Sequence, residues 1–241
     1  RRQRQMCIRD SLDQGRAVMT ATIAIVDYCK GNLASVQRGL ADAGFDARIT
    51  DVPADILAAD GVVLPGVGAF TDAMTMMEET GQADALRTAV ADGVPFLGIC
   101  LGMHLLFDWG DEGQPEGSRL AGLGVLPGHV ERMAAIDARG IKHKIPHVGW
   151  NSVEFVDGLA GHADVTRLFD GIEDGGYFYF THSYCAVPDD AADLVATSEH
   201  ARRFASAVAR DNVFGVQFHP EKSSHLGLQL LENFGRIVEG A

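Results

Sequence analysis

Pro95-Phe96-Leu97-Gly98-Ile99-Cys100-Leu101-Gly102-Met103-His104-Leu105-Leu106-Phe107 is the stretch from which the fold is read. Its first half, Pro95 to Ile99, is a short apolar run of the kind that forms a buried strand. Its second half places Leu101, Leu105, Leu106 and Trp109 at helical spacing and predicts a helix. Between them Gly98-Ile-Cys-Leu-Gly102 has the form of a nucleophile elbow, with Cys where a hydrolase carries Ser. Such a turn is tight, so small residues flank the nucleophile two positions to either side. It lifts Cys100 to the top of a sheet and the N-terminus of the next helix, where free N–H groups and the helix dipole favour a thiolate. The plainer reading is a buried cysteine in a strand-to-helix connection.

A second stretch favours the chemical reading. Val213-Phe-Gly-Val-Gln-Phe218 alternates like a strand and ends in His219-Pro220-Glu221-Lys222-Ser223, ahead of a helix with Leu226, Leu230, Phe234 and Ile237 on one side. His219 is thus predicted at the C-terminal end of a strand, where open α/β sheets place their chemistry. Glu221, two residues on, can reach the imidazole and fix its tautomer. Cys100, His219 and Glu221 then fill the roles of nucleophile, base and orienter.

On these residues the chain resembles the class I, triad-type glutamine amidotransferases, and more narrowly the glutaminase subunits of imidazole glycerol phosphate synthases. The likeness runs from about Thr20 to the C-terminus. It is carried by Ile25-Val-Asp-Tyr28 with Gly31-Asn-Leu33, Leu64-Pro-Gly-Val-Gly-Ala-Phe70, Gly98-Ile-Cys-Leu-Gly-Met103, Lys144-Ile-Pro-His-Val-Gly-Trp-Asn151, His182-Ser-Tyr184 and Gly215-Val-Gln-Phe-His-Pro-Glu-Lys-Ser223. The resemblance implies a flavodoxin-like α/β fold, with a mostly parallel central sheet flanked by helices and a smaller antiparallel β portion. It implies glutamine hydrolysis at Cys100, with no metal or cofactor, and an oxyanion hole from the N–H of Val67 or Gly68 together with that of Leu101. Gly66, His104, His182, Ser183 and Tyr184 are the expected substrate-binding positions, the last two for the α-amino and carboxylate groups. The implied partner is a (β/α)₈ barrel cyclase in a heterodimer, met by Asn32, Pro146, His147, Trp150, Tyr179 and Lys222. Two departures stand out. The family usually has Gly at Cys29, and commonly Gln at His104. Other readings are an amidotransferase subunit serving a paralogous synthase, for instance in sugar modification, and a non-catalytic docking subunit.

Composition bounds the rest. A chain of 241 residues with 46% hydrophobic content and 28 Gly suits one α/β domain with many tight turns. A formal charge of −13 argues against nucleic acid and anionic membrane as partners. No apolar run nears the length of a membrane span. Cys7, Cys29, Cys100 and Cys185 show neither metal-ligand spacing nor a disulfide pattern, which points to a reducing cytosol. Residues 1–18 hold five Arg and two Asp and no periodic apolar face, and without them the charge is −16. They are expected to be a non-native or disordered extension, a basic targeting peptide being the alternative, with residues 19–241 as the single domain.

Along the chain, strands are predicted at 22–27, 47–50, 61–64, 125–133, 177–186, 192–197, 204–210 and 213–218. A helix is predicted at 35–43, with Asn32 capping or preceding it, and a core-packed helix at 70–80. Surface loops are expected at 108–119 and 142–150. The glycines around Val67 permit a peptide N–H to swing toward a substrate carbonyl.

Overall fold

The computed structural model describes residues 21–29, 31–115, 117–159 and 163–240; the segment 1–18 lies outside them. In chain order the strands are β1 (Thr22–Val26), β2 (Asp46–Thr50), β3 (Gly61–Gly66), β4 (Phe96–Cys100), β5 (Phe107–Gly110), β6 (Leu120–Ala121), β7 (Leu126–Arg132), β8 (His147–Phe155), β9 (Gly176–His182), β10 (Tyr184–Pro188), β11 (Leu194–Glu199), β12 (Arg203–Arg210) and β13 (Val213–Val216). The helices are α1 (Leu33–Asp42), α2 (Pro53–Ala58), α3 (Phe70–Thr80), α4 (Gln82–Ala91), α5 (Leu101–His104), α6 (Ala163–Leu168) and α7 (Ser224–Val238).

Among the described residues one sheet runs β2-β1-β3-β4-β13-β12-β11-β8-β9. Its first five strands are parallel, and the remainder continues antiparallel. A second sheet, β10-β7-β5-β6, packs beside it. The parallel strands read as unbroken apolar runs because both of their faces are covered. Ile23, Ile25, Val63, Leu97 and Phe214 face α1 and α7, whereas Val62, Leu64 and Phe96 face α3, α4 and the second sheet. Leu230, Leu231 and Phe234 of α7 are fully buried. Truncating a buried Phe of this kind costs about 3–5 kcal/mol, so α7 is held by its apolar stripe.

β4 lies between β3 and β13, in a register that pairs Gly66 with Cys100 and Val216 with Ile99. The C-terminal ends of three strands distant in sequence therefore emerge side by side. Cys100 turns there with φ 55 and ψ −106, a left-handed conformation that costs a non-glycine residue on the order of 1–3 kcal/mol. The chain closes so tightly that a Cβ on Gly102 would lie 1.7 Å from the Leu64 carbonyl oxygen, and one on Gly98 2.6 Å from the Gly102 oxygen.

The structure departs from the sequence reading in several places. The helix after Cys100 is one turn, α5; of the apolar residues that continue its spacing, Leu105 and Leu106 lie in the following turn and Trp109 in β5, which pairs with β7 in the second sheet. Leu105 and Leu106 are fully buried, as is the Phe107 between them and Trp109, so the spacing reflects burial on every side rather than one helical face. Residues 108–110 are consequently strand, and the loop begins at Asp111. The 177–186 run is two strands broken at Ser183, β9 in the large sheet and β10 in the small one. His147 to Trp150 belong to β8 rather than to a loop. Asn32 occupies the N-cap position of α1 without a side-chain cap hydrogen bond, so it precedes the helix without capping it. Cys29 sits at φ 65, which gives a physical reason for glycine at that turn.

Because the atoms facing the Gly102 position are backbone, they cannot step aside. Gly102→Ala is expected to lower the unfolding free energy by about 2–4 kcal/mol, read from urea denaturation; an unchanged midpoint would contradict the packing described.

Candidate active site

Cys100 and His219 reach the same place from adjacent strand ends. Past β13 the chain runs through Gln217 and Phe218 to His219, then into a single 3₁₀ turn, Pro220–Lys222. The turn is pinned: the His219 N–H donates to the Tyr179 carbonyl at 2.9 Å, the Ser223 hydroxyl donates to the His219 carbonyl at 2.6 Å, and the Tyr179 N–H donates to Ser223 Oγ at 2.9 Å. Within it His219 Nδ1 meets Glu221 Oε1 at 2.9 Å, both side chains being almost wholly buried. The carboxylate accepts from Nδ1–H, which leaves Nε2 as the basic edge.

His219 Nε2 makes no hydrogen bond of normal geometry among the described residues, yet Cys100 is close enough to act on the ring. Burial disfavours the imidazolium, but the Cys100 sulfur and the Glu221 carboxylate outweigh it and carry the His219 pKa up to about 9. The ring is thus made more basic by the two groups on either side of it, the requirement for drawing a proton from a thiol.

A cavity of about 240 Å³ opens over Cys100, lined by Val67, Gly68, Leu101, His104, Glu112, Thr181, His182, Ser183 and Tyr184. Its size suits a ligand of amino-acid dimensions. The three residues expected at the oxyanion hole all line it. Val67 is 40% exposed, and Gly68 has φ 106, a conformation open mainly to glycine. Gly66 does not line the cavity. It lies beneath the Tyr28 hydroxyl, which a Cβ there would meet at 1.9 Å, so its contribution is close packing. Glu112 was not foreseen. It falls in the acidic loop read as a surface feature, yet it accepts from the Phe70 N–H at 3.1 Å, and burial raises its pKa.

Two expected substrate positions are engaged elsewhere. His104 lines the cavity, but its Nε2 bonds Gln217 Oε1 at 2.7 Å, and burial lowers its pKa to about 4. His182 Nδ1–H donates to the Tyr184 carbonyl at 2.8 Å, so its Nε2 is an acceptor and takes the Nδ1–H of His147 at 3.0 Å. Burial lowers the pKa of His182 to about 3 and that of His147 to about 4, keeping both rings neutral. This chain stiffens the bend at Ser183, where β9 passes into β10 beside Cys100. Ser183 and Tyr184 remain facing the cavity.

The expected docking residues separate into two groups. Trp150 and Tyr179 are cross-strand partners on the outer face of β8 and β9, their rings 6.2 Å apart. Pro146 and Lys222 are exposed and Asn32 is half-buried. His147 is different: its ring is buried against His182 and Phe180, because strand alternation turns it inward, so any influence on a partner runs through its strand. Val148 and Tyr177, 57% and 60% exposed, share the outer face with the 52% exposed Trp150. The sequence reading missed both; period-two alternation through β8 and β9 was the signal.

The residues 24–238 match the family model described as glutamine amidotransferase class-I. Among solved structures, a glutamine amidotransferase aligns with TM-score 0.64 at 20% identity, covering 90% of this chain and 99% of that one. PurLQS from Thermotoga maritima aligns with TM-score 0.63 at 17% identity, over 92% and 99%; at such identities the likeness concerns the fold. The imidazole glycerol phosphate synthase subunit HisH of Moorella thermoacetica is 48% identical over 219 residues, 91% of this chain and 96% of that protein. HisH of Geobacillus thermodenitrificans is 43% identical over 218 residues, 90% and 97% respectively. The chain belongs to the class I glutamine amidotransferases and, within that class, to the HisH subunit family.

The His219 environment has a measurable consequence. Its folded pKa of about 9 lies above the ordinary 6.5. The stabilisation it supplies is therefore complete below about pH 6.5 and is lost as pH rises through 9. NMR titration of the His219 ring is expected to give a midpoint near 9, falling in Glu221→Gln. A wild-type midpoint at or below 6.5 would contradict the pairing.

Proposed function

We propose that the protein hydrolyses glutamine to glutamate and ammonia, and that it is the glutaminase subunit of an imidazole glycerol phosphate synthase acting in histidine biosynthesis. The observation that carries the chemistry is the buried, Glu221-bound His219 acting on Cys100, whose side chain lines the cavity.

In this reading His219 Nε2 takes the thiol proton and Cys100 Sγ attacks the carboxamide carbon. The tetrahedral oxyanion is held by the Leu101 N–H and that of Val67 or Gly68. As the C–N bond breaks, His219 returns its proton to the departing ammonia, leaving a γ-glutamyl thioester. Water, deprotonated by the same imidazole, then attacks the thioester, and glutamate leaves as the sulfur is released. Glu221 keeps the ring in the reactive tautomer and offsets its positive charge. Ser183 and Tyr184 are the residues we assign to the α-amino and carboxylate groups.

Free ammonia is protonated in bulk water and ceases to be a nucleophile. A closed interface with the consuming subunit avoids that loss. We assign the face of Pro146, Val148, Trp150, Tyr177, Tyr179 and Lys222 to a (β/α)₈ barrel cyclase, which uses the ammonia to form imidazole glycerol phosphate and aminoimidazole carboxamide ribotide. Exposed aromatic and aliphatic side chains clustered on one face fit a partner contact. No helix among the described residues is long and apolar enough to cross a membrane; the cytosol is the compartment we propose.

One experiment tests this reading: glutamate release and product synthesis by the subunit alone and with its cyclase and nucleotide ligand. Cys100→Ala is expected to abolish glutamine-driven synthesis while the complex still uses added ammonium. Because the glycines about Val67 allow a peptide flip without enforcing it, the wild-type subunit alone is expected to be slower by about 10²–10³, the usual effect of one missing oxyanion donor. Normal glutamine-driven turnover in Cys100→Ala would overturn the assignment, and equal wild-type rates in all arms would remove the gating.

A further inference from the structure

We infer that His104 is a positioning residue for the Cys100 sulfur, acting through the buried amide of Gln217 rather than through the substrate. The inference rests on the reading of Cys100 as nucleophile.

Three side chains form a chain at the base of the cavity. His104 Nε2 lies 2.7 Å from Gln217 Oε1, and Gln217 Nε2 lies 3.7 Å from Cys100 Sγ. Gln217 is fully buried and His104 nearly so, which leaves the amide these two side chains as its hydrogen-bonding neighbours. An amide between them has two orientations. In one, His104 Nε2–H donates to Oε1, and the amide N–H points at sulfur. In the other, the amide donates to a bare His104 nitrogen, and Oε1 faces sulfur. The second sets an oxygen lone pair against a thiolate. The first gives the thiolate a donor that moves with neither the substrate nor the His219 turn.

The ring is suited to this. Burial keeps His104 neutral, so it brings no competing positive charge to the sulfur, and its single N–H is committed to Gln217. A ring that donates to Gln217 through Nε2 cannot also donate through Nδ1, so it is a poor donor to a substrate carbonyl. This separates its role from the substrate-holding one expected for position 104. The other titratable groups about the sulfur are His219 with Glu221 behind it, Tyr28, and, across the cavity, His182 and Glu112. None of them touches Gln217 in the hydrogen bonds of the site.

The test is the pH dependence of Cys100 alkylation by iodoacetamide, followed on the Cys100 peptide by mass spectrometry in the full-length protein. It uses no glutamine, so it is independent of turnover. In His104→Phe the donor is lost and Gln217 is free to turn. Alkylation at neutral pH is expected to slow by about 3–10-fold, with the profile moved to higher pH, as for a thiolate deprived of a charge-assisted hydrogen bond. His104→Gln restores a donor and is expected to return the profile to that of the wild type. Gln217→Glu sets a carboxylate at the sulfur and is expected to move the profile further in the same direction. In the cyclase complex, His104→Phe is expected to lower kcat by a similar factor and leave KM nearly unchanged.

A His104→Phe profile that overlays the wild type, or a His104→Gln profile displaced as far as that of His104→Phe, would overturn the inference. So would a raised KM with kcat retained, which would return His104 to holding substrate. If His104→Phe does not fold, Gln217→Glu decides: an unmoved alkylation profile overturns the proposal. Should Cys100→Ala retain glutamine turnover, the nucleophile reading fails while the alkylation result still reports on the contact between sulfur and amide.

Discussion

The start of α5 lies so close against the end of β3 that Gly102 leaves no room for a side chain beside the Leu64 carbonyl. Much follows from it. α5 can begin only if Cys100 takes a left-handed turn, and that turn brings the Leu101 N–H and the sulfur to the edge of the sheet. The same approach sets the Gly66–Gly68 segment beside Cys100, so that the proposed oxyanion donors come from two neighbouring strand ends. The backbone strain at Cys100 is offset by the packing of two apolar cores, one on each face of the parallel strands. A local cost of a few kcal/mol is thereby spread over a large buried volume.

The basic group is positioned by a different means. His219 lies on a turn held by its N–H bond to the Tyr179 carbonyl and by the Ser223 hydroxyl, which donates to the His219 carbonyl and accepts from the Tyr179 N–H. Tyr179 sits on the outer face of β9, among the residues we assign to the partner. The neutral His147–His182 pair links β8 to the Tyr184 carbonyl at the bend of the cavity wall. Both connections run from the proposed docking strands to groups around Cys100.

The sequence made much of this legible because the chemistry is written in local motifs. Gly98 and Gly102 flank Cys100 for a steric reason visible in the structure, and Glu221 follows His219 at the spacing that lets a carboxylate reach Nδ1. The parallel strands are located, with ends displaced by one or two residues, because continuous apolar runs mark buried parallel strands. Legibility failed where burial was complete on all sides. Leu105, Leu106 and Trp109 continue the helical spacing by accident, since the chain enters a second sheet that no local pattern announces. Glu112 looked like a solvated loop residue because nothing nearby in sequence reveals its bond to the Phe70 N–H. His104 is read at the substrate from its motif alone, while its partner Gln217 lies far along the chain, just past the end of β13. His147, adjacent to Pro146 in a run read as a docking loop, turned inward once that run became a strand with period two.

We propose above all that the Cys100 sulfur carries the glutamyl group. The most direct measurement is rapid acid quench of the protein with its cyclase during glutamine turnover, followed by peptide mass spectrometry. A γ-glutamyl adduct on the Cys100 peptide, absent from Cys7, Cys29 and Cys185 and absent in Cys100→Ala, is the predicted result. Sustained glutamine hydrolysis with the adduct on another residue would contradict the account.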